Sequence, residues 1–244
     1  MMAIPAIDLR EGACVQLVGG AYEDERVRRP DPVAEARRFV AHGFRRLHVV
    51  DLDAATGRGD NAPVIEALLE VPNVDLQIGG GVRSRETLDR WLDRGASAVV
   101  VGTKALEDPS FLRDSAERHP GRVAVALDVR GREVLAKGWA EGTGRSVEAV
   151  LEDLGALPLA FALVTAVHVE GSLAGVDRTL YEDLTRLTAL PIVASGGVGG
   201  LADLDTLEAA GAHAAVIGMA LYVGRVDPAE AAKRFATWSR GGTE

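Results

Sequence analysis

At 244 residues, 47% of them hydrophobic and only Cys14 a cysteine, the chain can bury a sizeable core but cannot form an internal disulfide or a thiolate metal cluster. A net charge of −9 argues against nucleic acid, which needs clustered Lys and Arg to displace its counterions. No stretch approaches the ~20 apolar residues of a membrane span, and residues 1–8 hold no basic segment leading into an apolar run, so a cytoplasmic protein with no membrane partner is expected.

Short apolar runs recur at 3–7, 46–50, 74–78, 98–101, 123–127, 162–165, 191–194 and 214–217. They are rich in Val, Ile and Ala at successive positions, which suits strands covered on both faces in a parallel sheet. Between them, helical periodicity predicts helices at 31–42, 84–95, 108–119, 146–157, 201–211 and 227–238. Asp108-Pro109 and Asp227-Pro228 place a capping carboxylate before a first-turn proline, and Gly95 and Gly211 stand where helices end. The five histidines, His42, His48, His119, His168 and His213, lack ligand spacing, so no metal is expected.

The chain also repeats itself. Gly79-Gly80-Gly81-Val82-Arg83 followed by Val101-Gly102-Thr103 is echoed 116 residues later by Ser195-Gly196-Gly197-Val198 followed by Ile217-Gly218-Met219. Eight strand–helix units with a half-chain repeat predict one (β/α)8 TIM barrel over residues 1–244, built from two similar half-barrels; an open doubly wound sheet is the alternative.

In such a barrel, reactive groups stand at the carboxyl ends of the strands. Asp8 ends the first run and Asp128 the fifth, 120 residues apart, so two carboxylates face each other across the mouth. One can take a proton while the other gives one, provided their surroundings separate their pKa values. The glycine turns follow strands three, four, seven and eight, where backbone N–H groups bind anions. They predict two phosphate subsites, at Gly80, Gly81, Gly102 and Thr103 and at Ser195, Gly196, Gly197, Gly218 and Met219. The substrate is therefore expected to be a small molecule with a phosphate at each end. Arg83 would add a cation, and Gly175 would join the second subsite. Thr165 ends the sixth run with a hydroxyl, and Glu170 in the following loop is a third candidate acid or base. Trp139 offers a plane to stack on a heterocycle or an anchor for its loop. His168 lies in a polar loop, either against substrate or apart from it. Asp51 and Asp53 are expected to organise the loop through Asp60 and Asn61 rather than react.

Ile4-Pro5-Ala6-Ile7-Asp8-Leu9, His48-Val49-Val50-Asp51-Leu52-Asp53, Gly79-Gly80-Gly81-Val82-Arg83, Leu127-Asp128-Val129-Arg130, Gly138-Trp139 and Ser195-Gly196-Gly197-Val198 together resemble the phosphoribosylformimino-5-aminoimidazole carboxamide ribotide isomerases of histidine biosynthesis. The resemblance covers essentially the whole chain. It implies a duplicated half-barrel and a cofactor-free Amadori rearrangement of an aminoaldose to an aminoketose, on a substrate with two phosphates. It also implies that Asp8 is the general base and Asp128 the general acid. The chain departs from the family pattern in two loops. Ala166 follows Thr165 where an acidic residue is usual, and Val169-Glu170-Gly171 stands for basic-Asp-Gly, which leaves the donor role open between Asp128 and Glu170. Gly19-Gly20-Ala21 stands for Gln-Gly-Asp.

Three alternatives remain at this stage. The cyclase subunit of imidazole glycerol phosphate synthase shares the fold, but its first strand typically carries Cys before Leu-Asp, where this chain has Ala6-Ile7-Asp8. The segment Asp51-Leu52-Asp53-Ala54-Ala55-Thr56-Gly57-Arg58-Gly59 is similar to the actinobacterial enzyme that also isomerises phosphoribosylanthranilate. A non-catalytic sensor of phosphorylated metabolites would bind the bisphosphate without converting it. A monomer is expected.

Overall fold

Each of the eight apolar runs becomes a strand because its two faces meet two different apolar layers. The computed structural model describes residues 1–19, 24–136, 138–139 and 141–238. Its barrel strands are β1 (Met2–Arg10), β2 (Arg46–Asp51), β3 (Asp75–Gly79), β4 (Ala98–Val101), β5 (Val123–Arg130), β6 (Ala162–Ala166), β7 (Ile192–Ser195) and β8 (Ala214–Ile217). Every neighbouring pair is parallel, and β8 pairs with β1 to close the cylinder. The closed ring rules out the open doubly wound sheet.

Alternation along the strands sorts the side chains. On β1, Ala3, Ile7 and Leu9 face the helices while Ile4 and Ala6 face the barrel axis; on β5, Val123, Val125, Leu127 and Val129 face out and Ala124 faces in. The same phase carries Asp8 and Asp128 inward near the carboxyl ends of their strands. Small inward residues such as Ala6, Ala98, Ala124 and Ala214 leave the axis narrow, and bulky Leu, Ile and Phe fill the outer shell. Each such side chain, fully buried, contributes roughly 1.5–3 kcal/mol.

The capping signals hold. The backbone N–H of Phe111 donates to Asp108 at 3.0 Å and that of Glu230 to Asp227 at 2.8 Å, starting the helices Pro109–Arg118 and Pro228–Arg234. The last helix is shorter than the 227–238 expected. Phe235 turns under the barrel, where its carbonyl accepts from the Ala3 N–H and Ala236 bridges Met2. Two further helices, Ala62–Leu69 and Arg178–Leu187, complete the outer layer beside β2 and β6.

Two antiparallel ribbons lie outside the eight apolar runs. Ala13–Leu17 folds back on β1 and pairs with Glu25–Arg29; Glu133–Ala136 folds back on β5 and pairs with Glu141–Ser146. The first strands of the two ribbons obey the half-chain repeat, with Asp8 opposite Val15 and Asp128 opposite Leu135. Asp8 and Asp128 each therefore sit at the root of a ribbon. Gly20 and Ala21, which carry part of the altered first loop, lie outside the described residues.

Asn61 fastens the first ribbon to the barrel. Its amide donates to Asp51 at 2.7 Å and to Asp53 at 2.9 Å, its carbonyl accepts from the Gly12 N–H at 2.8 Å, and Asp53 accepts from the Glu11 N–H at 2.7 Å. Asp51 and Asp53 are thus loop organisers, away from the mouth cavity. Asn61→Ala strands two buried carboxylates without their shared donor. A loss of about 3 kcal/mol in urea-unfolding free energy is expected.

Candidate active site

The inward phase of the strands and the glycine turns after them build one cavity of about 370 Å³ at the carboxyl end of the barrel. Asp8, Asp128, Thr165, Glu170 and Trp139 line it, as do both sets of turn glycines.

Asp8 is half-buried in the cavity wall, and desolvation there, reinforced by the nearby negative charge of Glu170, lifts its pKa to about 7. Gln16, on the first ribbon, opposes the lift by donating its amide N–H to the Asp8 carboxylate at 3.1 Å. Gln16→Leu removes a bond that favours the ionised form, so Asp8 should hold its proton to higher pH. The acid limb of kcat/KM is then expected to move up by about one pH unit, read from a pH–rate profile.

Asp128 has different surroundings. Burial raises its pKa, but the Trp139 indole N–H and the Thr165 hydroxyl both donate to its carboxylate and pull the other way. Thr165 reaches it because the two residues are register partners on β6 and β5. Trp139, at a positive φ of 71°, is therefore a partner of Asp128 as well as part of the wall.

Glu170 follows β6 on a tight turn in which the Glu170 N–H donates to the Val167 carbonyl at 3.3 Å. Burial and the Asp128 charge lift its pKa to about 7, and only the Gly171 N–H lowers it. Its Oε2 is buried without a hydrogen-bond partner among the described residues. The turn is seated by Gly171: at φ +65°, a Cβ there would meet Leu17 O and Val18 Cα at 3.0 Å. The two loops that depart from the family pattern thus pack against each other.

The glycine turns match across the halves. Gly80 and Gly81 have φ of 91° and 66°, Gly196 and Gly197 of 95° and 84°, a region that side chains rarely adopt. A Cβ on Gly80 would lie 2.3 Å from the Asp51 carbonyl oxygen, and one on Gly197 would lie 2.2 Å from that of Gly175. Each turn is therefore pressed onto the loop after the preceding strand, with its backbone facing the cavity. The charges do not match. Arg83 and Lys104 line the first half of the cavity, whereas their counterparts 116 residues on are Gly199 and Ala220.

Of the expected phosphate residues, Gly80, Gly81, Arg83, Gly102, Thr103, Ser195, Gly196, Gly197, Gly218 and Met219 line the cavity. Arg83 also clamps the loop after β2, donating to the carbonyls of Ala54 at 3.0 Å and Ala55 at 2.7 Å. Gly175 is a correction: it is absent from the cavity wall and braces Gly197 from behind, its N–H donating to the Gly197 carbonyl at 3.1 Å. His168 stands apart from the cavity, 3.3 Å from Asp177.

Gln16, His48 and Lys104 are lining residues that the sequence alone does not single out. Gln16 lies on a ribbon outside the eight apolar runs. The signal was Glu11-Gly12, a two-residue turn with φ of 50° and 77° between strands. His48 was set aside among scattered histidines, yet it follows Leu47 and precedes Val49, and their outward phase turns it inward. Among the described residues, no cluster of three or more His, Cys, Asp or Glu could hold a metal ion, and no helix is long and apolar enough to cross a membrane.

Residues 2–227 match the family model described as histidine biosynthesis protein. A protein of Myxococcus xanthus named 1-(5-phosphoribosyl)-5-((5-phosphoribosylamino)methylideneamino)imidazole-4-carboxamide isomerase is 52% identical over 97% of this chain and 100% of its own length. A protein of the same name from Gemmatimonas aurantiaca is 51% identical over 96% of the chain and 99% of its own length. Another so named, from Rhodopseudomonas palustris, is 41% identical over 95% of the chain and 96% of its own length.

Proposed function

The chain belongs to the histidine biosynthesis protein family, and on that premise we propose that its cavity carries out the isomerisation named for its relatives with Asp8 as general base and Glu170 as general acid. It is an aldose–ketose isomerase, converting the phosphoribosylformimino aminoimidazole carboxamide ribotide to its ribulosyl isomer. The reaction is redox-neutral overall, since C1′ is reduced as C2′ is oxidised.

Glu170 gives its proton to the ribose ring oxygen as the C1′–O bond breaks, and the nitrogen lone pair forms the C1′=N bond of a cationic imine. Asp8 removes the C2′ proton. The freed electron pair forms C1′=C2′ while the imine electrons return to nitrogen; the resulting enolamine then takes the proton back from Asp8 at C1′ as its C2′ hydroxyl gives its proton to Glu170 and becomes the ketone, which restores both carboxyl groups. Asp128, held by the Trp139 indole and the Thr165 hydroxyl, is placed to face the imine, where a carboxylate lowers the cost of its charge.

The observation that carries the division of roles is the contrast between the second and third carboxylates. Asp128 accepts two side-chain hydrogen bonds, which favour its charged form. Glu170 has a buried oxygen with no partner and a pKa near 7, the condition of a group ready to hold and release a proton at neutral pH. The glycine turns of the two halves supply anion sites for the two phosphates, with Arg83 and Lys104 adding charge to one of them.

Mixing excess protein with the aminoaldose and following the aminoketose in a single turnover tests this reading. Conversion on the timescale of seconds supports it. Tight bisphosphate binding without conversion would replace it with the sensor reading.

A further inference from the structure

Three polar atoms inside the barrel lack a hydrogen-bond partner among the described residues: Nδ1 of His48 and both amide atoms of Gln77. Such groups are rare in folded proteins, and His48 lines the active-site cavity, whereas Gln77 lines a separate pocket with Arg46, Ser97 and His213. His48 is 5% exposed and Gln77 is fully buried. The two are register partners on β2 and β3, and Gln77 lies close enough to His48 to strengthen its hold on a proton. His48 also pairs in register with Ala6, while Asp8, two residues on, pairs with Val50. The imidazole therefore stands one layer below the carboxylates, where it lines the cavity floor. A Cβ on Gly79 would still be 4.0 Å from its Cε1.

We propose that His48 is the sugar-binding floor of the isomerase site, its Nδ1 hydrogen-bonding a hydroxyl of the reacting ribose while Gln77 orients the ring from beneath. This rests on the isomerase reading above and adds to it a substrate contact distinct from the proton-transfer groups and the phosphate turns. The ligand class follows from the chemistry. Burial drives the imidazole pKa down to about 4, so it is uncharged at neutral pH and offers an anion no attraction. A hydroxyl both donates and accepts, so it satisfies Nδ1 in either tautomer. A neutral partner also leaves the proton balance of Asp8 and Glu170 undisturbed.

The test compares His48→Leu, His48→Asn and Gln77→Leu with the wild type, in steady-state turnover of the aminoaldose and in thermal unfolding. His48→Leu is expected to lower kcat/KM by about tenfold or more, as for a lost substrate hydrogen bond. The fall should lie mostly in kcat, because the phosphate turns still hold the substrate. Its Tm should equal or exceed that of the wild type, since an apolar side chain replaces a buried unpaired one. His48→Asn, which keeps a short polar group near Nδ1, should recover activity to within about threefold. Gln77→Leu should fall between the two, with both pH limbs in place in every variant. The proposal is overturned if His48→Leu stays within twofold of wild type, or if His48→Leu and His48→Asn lose activity and Tm together. A wild type that does not convert the aminoaldose would instead overturn the isomerase reading itself.

Discussion

Asp8→Asn is expected to lower kcat by more than a hundredfold with little change in KM. The substitution keeps the volume and the hydrogen bond from Gln16 but removes the function asked of Asp8, accepting the C2′ proton and returning it at C1′. General base catalysis is worth roughly 10²–10⁴-fold, and the glycine turns that hold the phosphates lie after other strands. The wild-type profile should also fall on the acid side as Asp8 gains a proton near pH 7. Because the Glu170 charge raises the proton affinity of Asp8 and both groups are lifted to about 7, the two limbs belong to the coupled pair and flank neutrality. A variant that keeps more than a third of wild-type turnover, in steady-state assays near the pH optimum, would remove Asp8 from the mechanism.

Glu170→Gln should move activity and stability in opposite directions. Without the donor, ring opening depends on water, and kcat is expected to fall by about 10²-fold or more. Folded Glu170 keeps its proton up to about pH 7, whereas in the unfolded chain it releases it near its usual 4.5. Folding stability therefore declines as pH rises through that window, and the deficit is complete above it. An uncharged glutamine escapes the penalty. Urea unfolding at pH 8 should show the variant about 1–3 kcal/mol more stable than wild type, with the difference vanishing near pH 4. Removing the Glu170 charge also lowers the pKa of Asp8, so the acid limb of the residual activity should shift to lower pH.

Much of this was legible in the chain because barrel strands are buried on both faces and leave continuous Val, Ile and Ala runs. The paired glycines and the paired aspartates were visible for the same reason, as a duplication that preserves spacing. What escaped depends on contacts that spacing does not encode. Glu141–Ser146 is Glu-Gly-Thr-Gly-Arg-Ser, with no apolar alternation, and forms a strand only because Glu133–Ala136 offers its edge. The helix expected through 238 stops at Arg234 because Phe235 and Ala236 are claimed by β1. Gly175 resembles an anion-binding glycine in sequence, yet its place behind Gly197 follows only from the approach of two loops. The choice between Asp128 and Glu170 was equally out of reach, since it turns on who donates to whom: Trp139 and Thr165 to one, and no side chain to the other.

The most direct test of the division of labour is the alkaline limb of kcat/KM in Glu170→Gln and Asp128→Asn measured side by side. If Glu170 is the proton donor, its loss abolishes that limb while Asp128→Asn keeps it at about a tenth of wild-type activity or less. An alkaline limb that persists in Glu170→Gln and disappears in Asp128→Asn would contradict the account.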